Sequence, residues 1–131
     1  MALVVWFVAW AWFGLPWTGA TRHAHWDTVR FSMYLTPRTV LDAALNVVFY
    51  VPFGVLAVGA GLRGAFALAC GAALSATTEL TQVFSHTRVP SAIDFVLNSA
   101  GSLLGALLHA RLVRRASREA EHVGERRERE I

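Results

Sequence analysis

Apolar residues along this chain fall into four runs, at about residues 2–17, 39–60, 65–84 and 93–112, and polar residues inside the last three recur at helical spacing. The first run closes on Gly14, Pro16 and Trp17. The second contains Asp42 and Asn46, then Pro52-Phe53-Gly54. The third is apolar until Thr77, Thr78, Glu79, Thr81 and Gln82, and the fourth opens with Asp94 and Asn98. At about 1.5 Å per residue, each run crosses or nearly crosses a roughly 30 Å hydrocarbon core. Lipid offers no partner to a backbone N–H or C=O, so such segments must be helical. The pattern therefore predicts an all-α, polytopic fold. Four transmembrane helices occupy residues 1–112, and a charged C-terminal tail follows at 113–131.

Composition supports this. The chain has 131 residues, 55% hydrophobic and 16% charged, against roughly 25% charged in an ordinary soluble domain. Residues 111–131 hold seven Arg and five Glu, so the first 110 residues carry only nine charged side chains. That is too few to cover a soluble domain and excludes an ordinary cytosolic enzyme. The formal net charge of +3 does not signal a nucleic-acid partner, because it forms no basic face and no recognition motif accompanies it. The lone Cys70 excludes an internal disulfide and a Cys-built metal site. His23 and His25 at i,i+2, with His86 far along the chain, make a weak zinc pattern. No metal or cofactor is expected. A signal peptide competes for residues 2–17, but the segment lacks a positive start and carries Trp6, Trp10 and Trp12, which favours a retained helix.

Orientation follows from arginine. With four spans, Arg63 and the seven tail arginines share one side, while Arg22, Arg30, Arg38 and Arg88 share the other. The excess beside helix 4, at Arg111, Arg114, Arg115 and Arg118, places both termini in the cytoplasm and offers a seat for anionic lipid. Asp42 and Asn46, Glu79 and Gln82, and Asp94 and Asn98 then lie at one depth near the outer surface. Each pair shares a helix face. An acid at a helix centre costs about 2.5–3.5 kcal/mol on insertion scales, so this group is expected to turn inward, with Arg88 as the cation joining Glu79 or Asp94. Plainer roles stand beside this one. Asp42 and Asp94 lie near helix starts and are explained as well by capping, and amides commonly tie membrane helices together. The small-residue pattern at Gly101 and Gly105 reads as helix packing, with a homo-oligomer as a further use of the same face.

Four blocks resemble the VanZ-like family of small bacterial membrane proteins: Asn46-Val-Val-Phe-Tyr-Val-Pro-Phe-Gly54, Ser75-Ala-Thr-Thr-Glu79-Leu-Thr-Gln82, Arg88, and Asp94-Phe-Val-Leu-Asn98-Ser-Ala-Gly101-Ser-Leu-Leu-Gly105. The resemblance spans residues 39–110, with helix 1 fitting by hydropathy. It departs at Val89-Pro90-Ser91-Ala92, where a further acidic residue commonly precedes the Asp. It implies a bacterial plasma-membrane protein, and the family's namesake is associated with resistance to teicoplanin. It also points to Asn46, Glu79, Gln82, Arg88, Asp94 and Asn98 as site residues. The leading expectation is a ligand-binding module that takes a lipoglycopeptide, a cell-wall lipid precursor or another envelope ligand at the outer leaflet. The alternative is a membrane-embedded enzyme using Glu79 and Asp94 as an acid–base pair, although no nucleophile or metal accompanies them. A proton- or ion-coupled transporter ranks lower, because the inner halves of the helices lack polar groups.

Overall fold

The computed structural model describes residues 1–32 and 34–129, with side chains through Arg126. It is all-helical, with four α-helices in chain order: α1 (Ala2–Gly14), α2 (Pro37–Gly59), α3 (Gly64–Gln82) and α4 (Ala92–Arg129). Among the described residues there are no strands, only isolated bridges between loops. The four apolar runs map onto these helices one for one. α2 and α4 are long and apolar enough to cross a membrane, and only 22% and 28% of their apolar windows are buried. Apolar faces this open are what a lipid-facing helix presents, where the core helix of a soluble protein would be covered. α1 is a shorter apolar helix.

The boundaries differ from the hydropathy runs for local reasons. α1 stops at Gly14, and Leu15 is extended (φ −85°, ψ 144°), as the residue before a proline prefers. α2 starts earlier than expected. Thr36 caps it, Pro37 takes the first position, and the Thr36 and Thr39 side chains reciprocally satisfy each other's backbone amides. α4 continues unbroken for 38 residues through the Arg/Glu tail.

The bundle is organised around α2 and α4, which touch backbone to backbone. A Cβ on Gly101 would strike the Val47 carbonyl, one on Gly105 the Val51 carbonyl, and one on Gly54 the Ser102 carbonyl. Gly71 on α3 receives the Ser102 side chain in the same way. Small residues permit this approach, and interhelical packing then works at short range. Gly101 and Gly105 are buried within one chain against α2, as helix packing through this small-residue pattern requires.

α1 is attached to α2 by aromatic side chains. Trp6 is buried, donates from Nε1 to the Phe49 carbonyl at 2.9 Å, and stacks on Phe53 with ring centroids 4.8 Å apart. Trp10 donates from Nε1 to the Tyr50 hydroxyl at 3.1 Å. Both indoles therefore find polar partners within an otherwise apolar cluster.

Substituting Gly105→Val forces a side chain into the α2 backbone and is expected to lower stability by about 1–3 kcal/mol. Gly124→Ala, with open space around it, is expected to change nothing. Unfolding of the detergent-solubilised protein by SDS reads both, and an unaltered midpoint for Gly105→Val would mean the two helices are not this close.

Candidate functional site

Because α2 and α4 both begin at the same end of the bundle and α3 finishes there, Asp42, Asn46, Glu79, Gln82, Asp94 and Asn98 are brought to one end. They do not form a single cluster. Some are interior, and others line an open cavity.

The interior group is a seam of hydroxyls and amides. Ser75, Thr78, Asn98 and Ser102 are all buried. Asn98 Nδ2 donates to Ser75 Oγ at 2.9 Å, and Ser102 Oγ donates to the Asn98 carbonyl at 3.2 Å. The Tyr50 hydroxyl lies beside Thr78 and Ser75. Asn98 Oδ1 is buried and accepts no hydrogen bond among the described residues. Gln82 is buried as well, on the last turn of α3. These contacts join three helices through polar groups, which suits helix cohesion inside a membrane bundle.

Glu79 has a defined partner. Its Oε2 accepts the Ser91 backbone N–H at 2.5 Å. Ser91 is also where α4 begins: its carbonyl accepts from the Phe95 amide at 3.2 Å and its Oγ from the Asp94 amide at 3.3 Å. One carboxylate from α3 thus occupies the positive end of α4, while Ser91 and Asp94 stand in the S-x-x-D relation of a capped N-terminus. Asp94 enters that cap through its backbone amide, with Ser91 as the capping side chain. Its carboxylate faces the Asn46 amide and the Ser91 hydroxyl.

The cavity lies just outside these caps, with a volume of about 400 Å³. Arg30, Asp42 and Asp94 supply its charges, Ser32, Thr39, Ser91 and Tyr34 its hydroxyls, and Val89 and Ile93 its apolar wall. Among the described residues the one ion pair is His122–Glu125 on the tail. Arg30 is therefore not paired with either Asp, although all three border the same space. Sequence reasoning passed over Arg30 because nothing distinguishes it from Arg22 and Arg38 in the long loop. Its place comes from backbone pairing: the Arg30 amide donates to the Pro90 carbonyl and the Ala92 amide to the Arg30 carbonyl, each at 2.9 Å.

Arg88 departs from expectation. Its guanidinium donates to the Phe13 carbonyl at 3.2 Å and it pairs with neither Glu79 nor Asp94. The carbonyls of the last turn of α1 have no helical donors, and one of them takes this cation. The loop after α1 is held in turn by Thr21 N–H to the Phe84 carbonyl (2.8 Å) and His25 N–H to the Val83 carbonyl (2.9 Å). His25 and His86 rings approach to 4.7 Å, while no group of three potential metal ligands forms among the described residues.

The VanZ/LLP1 family model matches residues 1–114, which takes in all of α1 and the cavity. The chain belongs to the VanZ/LLP1 family. No curated protein and no solved structure matches it. Membership extends the sequence resemblance to the N-terminal helix, and with two helices able to span a bilayer it marks a membrane protein.

If Glu79 is the anion that completes α4, Glu79→Ala leaves the Ser91 amide without its acceptor. The expected loss is about 1–3 kcal/mol, with faster hydrogen exchange at Ser91 and the next turn. Glu79→Gln keeps a carbonyl acceptor and is expected to retain most of both. Unaltered exchange in Glu79→Ala would remove this role.

Proposed function

We propose that this VanZ/LLP1 protein is a four-span plasma-membrane protein, with both termini in the cytoplasm, that binds the polar headgroup of a cell-envelope ligand at the outer leaflet. The observation that carries the reading is the cavity bordered by Arg30, Asp42 and Asp94. Three charged groups from three segments border one open space without pairing with each other, which leaves their charge accessible to a ligand. The volume lies within the roughly 300–1,000 Å³ of small-molecule sites. The cavity opens where α2 and α4 start, at the depth where a membrane helix meets headgroups, and Trp17 and Trp26 are exposed on the same loop, as interfacial anchors are. The arginine bias across the helices supports the outward placement.

Lipoglycopeptides and cell-wall lipid precursors remain within this class of ligand, as does a role in envelope homeostasis or resistance. The acid–base alternative receives less support, since Glu79 already holds the Ser91 amide and the nearest Ser hydroxyl to both acids is itself a cap.

Two measurements on a Cys70→Ala background test the reading. In intact cells, an impermeant thiol reagent is expected to label Ser32→Cys, on the cavity, and to leave Ser117→Cys unlabelled. Labelling of Ser117→Cys alone would turn the cavity to the cytoplasm. With purified protein in detergent, a bacterial polar-lipid extract is expected to slow labelling of Ser32→Cys. Undiminished labelling at saturating extract would leave the headgroup reading without support.

A further inference from the structure

The cavity's chemistry specifies more than a polar ligand. Its two acids come from different helices, Asp42 one turn into α2 and Asp94 in the first turn of α4, and its one cation comes from the loop across the opening. Helix N-termini ordinarily supply free amides for an anion. Here most of those amides are taken, by the Thr36–Thr39 box on α2 and at α4 by Glu79, Arg30 and Ser91, which accept from Ser91, Ala92 and Asp94 in turn. An anionic group in this cavity is therefore left with Arg30 as its charged partner, whose planar fork suits a phosphate. The two carboxylates and the hydroxyls of Thr39 and Ser91 present acceptors to a cation. A cation that donates N–H bonds fits that lining. A quaternary ammonium does not, because it donates none and is recognised by aromatic cages, and Tyr34 is the single aromatic side chain at the cavity.

We propose that the cavity binds a lipid headgroup in which a primary ammonium stands beside a phosphate, phosphoethanolamine being the simplest, with the ammonium between Asp42 and Asp94 and the phosphate on Arg30. The inference rests on the reading of this cavity as a headgroup site and adds the ligand's chemical class. Nothing covalent is required. The paired charges of the headgroup replace solvent around three side chains that do not satisfy each other.

The test uses the Cys70→Ala, Ser32→Cys protein in detergent and follows protection from labelling by phosphatidylethanolamine, phosphatidylcholine or phosphatidylglycerol of the same acyl chains, and by soluble phosphoethanolamine. Phosphatidylethanolamine alone is expected to protect at low concentration. Asp42→Asn, on an exposed side chain outside both caps, is expected to weaken that protection roughly twofold to fivefold, the scale of an exposed ion pair. Arg30→Gln is expected to weaken it similarly, and Arg22→Gln, elsewhere on the loop, to leave it unchanged. Equal protection by phosphatidylcholine overturns the primary-ammonium assignment, and equal protection by phosphatidylglycerol overturns the need for a cation. Equal protection by soluble phosphoethanolamine overturns the lipid as its source. In each of those cases the cavity remains a headgroup-type site. Protection by neither these lipids nor the whole extract removes the site itself.

Discussion

The close approach of α2 and α4 governs what the rest of the structure can do. Gly54, Gly101 and Gly105 remove the side chains that would hold two backbones apart, and carbonyls of Val47, Val51 and Ser102 lie where a Cβ would be. Helices packed this tightly have little freedom to slide, since a displacement of one residue brings a larger side chain onto a carbonyl. Their starts are thereby fixed side by side. Asp42 and Asn46 on one helix then face Asp94 on the other, and the cavity between them has a defined width. The third helix joins by the same means, with Ser102 seated against Gly71.

A second constraint is depth. Most polar groups in the interior of the bundle have partners, Asn98 Oδ1 being an exception, and the two halves of the polar set divide by depth. Ser75, Thr78, Asn98 and Ser102 are buried and bonded to one another or to backbone, while Asp42 and Arg30 remain exposed beside open space. Glu79 lies between the two sets. Its carboxylate is partly buried, and the Ser91 amide is its immediate partner. The acid closest to the interior is thus the one held by a backbone amide of α4, while Asp42 and Asp94 border the open cavity.

Much of this was legible in the sequence. Four helices, the end at which their polar residues meet and the packing role of Gly101 and Gly105 all follow from spacing and hydropathy. The start of α2 is less legible, because the Thr36-Pro37 cap lies outside the apolar run that hydropathy detects. The cation's place is hidden from the sequence for a different reason. Arg88 lies between Glu79 and Asp94 in sequence, but a terminal carbonyl of α1 holds it, and no pattern along the chain announces a contact between Phe13 and Arg88. Arg30 reaches the cavity through main-chain bonds to Pro90 and Ala92, and backbone pairing between two irregular segments leaves no trace in side-chain periodicity. The number of helices that cross the bilayer is a separate matter: α2 and α4 have the length and apolar character, whereas α1 is short.

The unbroken α4 has a mechanical consequence. At 1.5 Å per residue its 38 residues make a rod about 57 Å long, nearly twice the roughly 30 Å of a hydrocarbon core. One end is clamped by its cap and by the glycine contacts with α2, and the other stands clear of the bundle with its arginines and glutamates. A rod held near one end is a lever. While the helix stays straight, a small tilt imposed at Ser91 and Asp94 arrives at the far charged turns as a larger sideways travel.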